Sequence, residues 1–218
     1  MVLYRPVGHK ELELICEAGF KSFPPRLPDQ PIFYPVLNVG YAREIAEGWN
    51  TKSDTYSGYI TRFNIDNDYC QKFQEKTVGG KQHEELWVPA EELSNFNENI
   101  IGHIEVIAAY FGEGFVGSHP NQGFTITNAT ADKYLQMLLS TLEYNFMDFI
   151  GSVIMNYKSV FCNYAYWKQF DINKLQSKNK NIASKLIKEV ADAWHNNFPG
   201  VKLPTETKIS EYEQKKLA

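Results

Sequence analysis

Two adjacent carboxylates, Glu84 and Glu85, open the short β-type run Leu86-Trp87-Val88-Pro89, just after Gly79-Gly80. Neighbouring side chains on a strand point to opposite faces, so one of the two glutamates must point toward whatever the strand lines. A carboxylate in that position is either a solvated edge charge or a catalytic group. Two more residues with usable chemistry stand at strand ends. One is the guanidinium of Arg5 in Leu3-Tyr4-Arg5-Pro6; the other is the phenol of Tyr34 in Ile32-Phe33-Tyr34-Pro35. His103 and Glu105 alternate on a later strand, but no third ligand stands at metal spacing, so no metal is expected. Gly79-Gly80 and the glycines from Gly112 to Gly117 lack the surroundings of a phosphate-cradling loop.

Positioning those groups requires several short elements. Val2 to Tyr4 reads as an opening strand. Lys10 to Gly19 reads as a helix with Leu12, Leu14 and Ile15 inward and Gly19 as its C-cap. Pro24, Pro25, Pro28 and Pro31 forbid regular structure. A strand follows over Ile32 to Leu37. Asn38 can cap a helix over Tyr41 to Trp49. Gly58 to Ile65 is a strand, Asp66 to Phe73 a short helix, Leu86 to Val88 a strand, Ala90 to Phe96 a helical turn, and Ile104 to Phe111 an apolar strand. The proline after Arg5 and the proline after Tyr34 each remove a ladder donor, so these strands should be edges or bulged there.

The rhythm then changes. Residues 112–127 are glycine-rich and favour turns or a flexible link. Asn128 is a candidate N-cap. One apolar face runs through Tyr134, Leu138, Leu142, Phe146 and Phe149, with an interruption expected at Gly151-Ser152, and it continues to Trp167. That stripe is either helix core or an exposed face for a partner helix or a second copy. Ile182 to Trp194 is another amphipathic helix. The tail from Thr205 is charged and expected to fray. The reading divides the chain into 1–111, an α+β domain; 112–127, a connector; 128–204, a small helical domain; and 205–218, a charged tail.

Composition bounds the rest. The chain has 218 residues, 43% hydrophobic and 22% charged, within the range of ordinary globular proteins. A net charge of −4 provides no global basic field for nucleic acid or an anionic membrane. Cys16, Cys70 and Cys162 are far apart and odd in number, as expected of reduced thiols in a cytoplasmic protein. Met1 to Lys10 does not read as a signal peptide, and no apolar run reaches membrane-spanning length.

The order of motifs resembles the ADP-ribosyltransferase superfamily, the mixed α/β fold of diphtheria-toxin-like and poly(ADP-ribose) polymerase-like enzymes. The resemblance covers about residues 1–111. It rests on Arg5 in the first strand, on Phe33-Tyr34-Pro35-Val36 leading into Tyr41-Ala42-Arg43-Glu44-Ile45-Ala46, on Gly58 to Phe63, and on Glu85 before Leu86-Trp87-Val88. Arg5 matches the arginine-led branch and Phe33-Tyr34 the histidine-led branch, so the chain combines features of two. His83 stands where some members carry a second acidic or amide residue.

The resemblance implies a split, strongly bent sheet with flanking helices. It implies NAD as substrate, glycosyltransferase chemistry and no metal. Glu85 would be catalytic, and Tyr34 and Arg5 would bind the cofactor. Breaking a nicotinamide–ribose bond passes through an oxocarbenium-like ribose, which a carboxylate can stabilise. An aromatic ring can stack on nicotinamide, and a cation can fix ribose or phosphate oxygens. The acceptor would be a protein, a nucleic acid or water, in a toxin-like or effector setting. The alternative is a module that keeps the fold without turnover and uses its helical half to bind a partner or a second copy.

Overall fold

The computed structural model describes residues 1–53, 55–120 and 129–218. In chain order the elements are β1 (Val2–Gly8), α1 (His9–Glu17), β2 (Ile32–Phe33), α2 (Val39–Gly48), β3 (Ser57–Ile65), α3 (Asn67–Cys70), β4 (Gln74–Thr77), β5 (Glu84–Pro89), α4 (Leu93–Glu98), β6 (Ile100–Phe111), α5 (Ala131–Tyr144), α6 (Phe146–Met155), α7 (Tyr157–Trp167), α8 (Lys180–Ala183), α9 (Leu186–Asn197) and α10 (Glu211–Leu217). The fold is α+β with antiparallel strands. Internal contacts divide the chain into two units. The first is Met1–Phe115 together with Thr205–Ala218, and the second is Val116–Pro204.

In the first unit the strands form two groups of three, ordered β1-β3-β6 and β2-β5-β4. Val36 joins them, bridging to Tyr4 on one side and to Glu85 on the other. The Tyr4 N–H donates to the Val36 carbonyl at 2.9 Å, and the Val36 N–H returns to Tyr4 at 2.7 Å. The next hydrogen-bonded pair along this ladder would need the N–H of residue 6. Residue 6 is proline and has none, so the ladder stops and the two halves part there. Pro35 likewise withholds a donor from β5, which leaves β2 as Ile32–Phe33 rather than the expected Ile32 to Leu37. Arg5 occupies the gap. Its Nη1 donates to the Tyr34 carbonyl at 3.3 Å, where the missing N–H would have donated.

Alternation on β1 sends Tyr4 to one face and Arg5 to the other. Tyr4 lies in a core with Val36, Val39, Tyr41, Ala42, Ala46, Ile60 and Ile107, beneath α2. Asn38 caps α2 as expected, its side chain accepting the Gly40 N–H at 2.8 Å. A methyl group at Gly58 would overlap the Ala46 carbonyl, so the absence of a Cβ lets α2 cross β3 at contact distance. On α1, Leu12 and Ile15 are buried as expected but Leu14 is exposed; after Ala18, Gly19 takes a φ of +65° and closes the helix in a Schellman motif, the capping role expected of it.

The tail does not fray. Ser210 and Glu213 form a reciprocal capping box that starts α10, and Ile209 and Leu217 pack against the α2 core. Glu213 is only 3% exposed. It accepts from the Tyr4 hydroxyl at 2.9 Å and from Arg62 Nη1 at 3.1 Å, while Arg62 Nη2 donates to Glu105 at 2.9 Å. One guanidinium thus holds two carboxylates. Burial alone would raise the Glu213 carboxyl, but the Ser210 N–H, the Tyr4 hydroxyl and Arg62 outweigh it and hold it below the usual carboxylate range.

The second unit is helical. Asn128 and residues 121–127 of the expected connector lie outside the described residues; Thr130 is the side-chain cap of α5. The helical run breaks at Asn145, whose side chain caps α6, and at Asn156, while Gly151 sits inside α6. A capping side chain therefore interrupts the run where the glycine does not. Helix α5 packs through Tyr134 on Trp167, whose indole N–H donates to the Ala131 carbonyl at 2.9 Å. The glycines read as flexible instead serve close contact. A methyl at Gly114 would overlap the Tyr56 ring. One at Gly117 would overlap Asn163 and Ala131, and its φ of +86° already favours glycine.

Two substitutions at glycines of the first unit should differ sharply. Gly58→Ala should destabilise the protein by an amount at or above the top of the about 1–3 kcal/mol range for overpacking, whereas Gly48→Ala in α2, with nothing near its added methyl, should be neutral or stabilising. Urea unfolding of both variants reads the difference. Glu213→Ala should cost about 1.5–3 kcal/mol, the range for a charge-assisted buried bond. The Glu213 contribution should be complete above the usual carboxylate range and vanish as pH falls through the lowered pKa, so thermal unfolding of wild type and variant should converge in acid.

Candidate functional site

The β4–β5 hairpin builds the site. Its register sets Lys76 opposite Glu85 and Gln74 opposite Trp87. Leu86 and Val88 are buried, and Val88 pairs with Phe33 in the core. Glu85 and Trp87 therefore share the other face of β5, with Val36 and Tyr4, which is the α2 face. Glu84 points the opposite way and is exposed.

The Glu85 carboxylate is held by two donors. The Tyr41 hydroxyl reaches one oxygen at 2.9 Å and the Trp87 indole N–H the other at 3.2 Å. Each oxygen keeps a lone pair for a further donor. The Tyr34 ring meets Trp87 edge-on at 5.4 Å between centroids. The Lys76 ammonium stands 3.5 Å from the Trp87 ring centroid, a cation–π geometry. Glu85, Trp87, Tyr34 and Lys76 are half-buried, and Tyr41 is buried. Burial, and then the bond to Glu85, push the Tyr41 phenol up to about 12, so at neutral pH it remains a donor. Behind Tyr41, the His83 ring stacks on it at 4.2 Å, and His83 Nε2 lies 2.9 Å from Glu44.

Arg5 takes a different place. The expectation was that Arg5, Tyr34 and Glu85 meet in one cleft; the structure brings together Tyr34 and Glu85, through Trp87, and sends the Arg5 guanidinium to the opposite face. Arg5 is 8% exposed. Its Nε donates to Glu11 at 2.7 Å and its Nη2 to the other Glu11 oxygen at 3.2 Å, a bidentate fork. The guanidinium also lies 4.5 Å over the Phe33 ring. Arg26 is close by. Burial, and then the Arg5 charge, lower its pKa, and its Nε donates to the Ile32 carbonyl at 3.2 Å. Arg5 thus touches Tyr34 only through the backbone.

The residues that complete the Glu85 environment are Tyr41, Trp87 and Lys76. Trp87 was legible, since it stands two positions beyond Glu85 and must share its face. Tyr41 opens the expected α2 but carries no local sign of its target. Lys76 lies on β4, which the sequence reading did not include, because Gln74-Glu75-Lys76-Thr77 has no apolar residue to mark a strand. His103 lines a separate surface groove of about 640 Å³ with Lys21, Ser94 and Asn97, and Glu105 is engaged by Arg62.

The raised Tyr41 pKa gives a test of the geometry. Its contribution to stability should be complete below its ordinary value of 10.0 and be lost as pH rises to about 12, because the unfolded chain releases its proton first. Tyr41→Phe should therefore lose less stability than wild type between those limits in a chemical-denaturation series. Compared with protein-family models, with curated proteins and with solved structures, the chain matches none.

Proposed function

We propose that the first unit binds NAD and either transfers its ADP-ribose to an acceptor or hydrolyses it. The observation that carries this reading is the Glu85 carboxylate, oriented by Tyr41 and Trp87, beside the Tyr34 ring on one face of a split sheet. The division into two three-stranded halves agrees with the ADP-ribosyltransferase-like architecture that the motif order suggested. Nicotinamide would lie on the exposed aromatic surface of Tyr34 and Trp87. Glu85 would accept a ribose hydroxyl and stabilise positive charge as the C1′–N bond breaks and its electron pair leaves with nicotinamide. The acceptor oxygen or nitrogen then bonds to C1′ and loses its proton. Arg5 enters as a positioning residue, since it holds the Tyr34 backbone at the split. In the second unit, the exposed Tyr144, Phe146, Met147 and Met155 supply a surface for an acceptor, a partner or another copy.

A second reading is favoured by the pairing of Arg5 with Glu11. A guanidinium already neutralised by a fork leaves the expected set of Arg5, Tyr34 and Glu85 incomplete on the Glu85 face, which suits a module that keeps the fold without turnover. Incubation with NAD labelled in the nicotinamide ring separates the two. The enzyme reading expects nicotinamide release that drops about 10²–10³-fold in Glu85→Gln, by analogy with loss of one preorganised electrostatic partner. NAD binding by calorimetry with no release would favour the binding module, and no binding at millimolar NAD would remove both.

A further inference from the structure

The face that carries Glu85 needs a cation if it is to hold a nucleotide, and Arg5 does not provide one there. We infer that Lys76 on β4 is the phosphate-binding residue of this face, taking the pyrophosphate of a dinucleotide whose base-bearing end lies against Trp87 and Tyr34. The inference rests on the NAD reading above.

Four observations carry it. First, the β4–β5 register sets Lys76 directly opposite Glu85, and cross-strand partners project to the same face. Second, an oppositely charged pair in that position would ordinarily join, yet Glu85 takes its donors from Tyr41 and Trp87, and the contact made by the Lys76 ammonium is with the Trp87 ring. Among the described residues Lys76 has no ion pair or hydrogen bond that would have to break when an anion binds. Third, the ammonium lies over the Trp87 ring, 3.5 Å from its centroid, so this contact holds the cation at the aromatic pair of Trp87 and Tyr34. Fourth, two of the guanidiniums around the split are committed to carboxylates, and the third, Arg26, lies beside Arg5 and donates to the Ile32 carbonyl. Arg5 is forked to Glu11, and Arg62 holds Glu105 and Glu213. A ring surface, a carboxylate with spare acceptor capacity and an available ammonium on one half-buried face match the three parts of a nucleotide: base, ribose hydroxyls and phosphate.

The test compares ligands with and without phosphate on the full chain. NAD, nicotinamide mononucleotide and nicotinamide riboside are titrated against wild type, Lys76→Gln and Lys76→Arg, with Trp87 fluorescence and calorimetry as readouts. Lys76→Gln should weaken NAD about ten- to a hundred-fold, as expected for loss of one charge-assisted contact, and leave nicotinamide riboside unchanged. Lys76→Arg should retain most of the NAD affinity. Equal weakening of NAD and riboside would show that Lys76 merely supports Trp87 and would overturn the inference, as would unchanged NAD binding in Lys76→Gln. Either result leaves NAD binding itself standing. Failure of wild type to bind NAD would instead remove the reading on which the inference rests, and the inference with it.

Discussion

Two backbone hydrogen bonds between Tyr4 and Val36 hold the halves of the first unit together. They are the last the ladder can make before Pro6. Everything distinctive about the site follows from that stop. Beyond it the halves diverge, Arg5 fills the opening, and the Tyr34 carbonyl takes a side-chain donor instead of a backbone one. On the other side of Val36, the same segment aligns Glu85 with Tyr4, so the carboxylate and the core under α2 share a face. Two prolines thus decide where the sheet opens, and alternation decides which residues look into each side.

Charge is distributed with similar economy. Two guanidiniums in the first unit are matched to carboxylates: Arg5 to Glu11, and Arg62 to Glu105 and Glu213. Such pairs are poor evidence of stability by themselves, because desolvation offsets much of their attraction. They do fix direction. Alternation puts Arg5 on the α1 side, where Glu11, six residues on, forks its guanidinium while Nη1 serves the Tyr34 carbonyl. Glu85 stays out of these pairs and is held by neutral donors, which leaves its charge available on the half-buried face.

The sequence made the larger pattern legible. Strand β3, the Asn38 cap and the Glu85 strand stand where their residues suggest, and β6 covers the expected Ile104 to Phe111 while starting four residues earlier, at Ile100. Elements with a polar or interrupted pattern did not announce themselves. Strand β4 carries no apolar residue. Strand β2 is cut short by a proline whose missing donor matters only once β5 is its neighbour. The helical run divides at Asn145, whose side chain caps the next helix, and at Asn156, whose side-chain N–H donates back to the Ser152 carbonyl. In the site, Tyr34 and Glu85 were legible from their strands. The side of the sheet on which Arg5 falls relative to Glu85 was not, because it depends on the Tyr4–Val36–Glu85 bridging that puts Glu85 on the face opposite Arg5.

The return of residues 205–218 to the first unit has a consequence for synthesis. A ribosome releases all of the second unit before it releases Ser210, Glu213 and Leu217. Until then the α2 core lacks its last cover, and Arg62 and the Tyr4 hydroxyl lack their shared carboxylate. The helical unit can therefore consolidate while its predecessor still waits with apolar surface open, and Ile209 and Leu217, made after it, close a core laid down between Tyr4 and Tyr110.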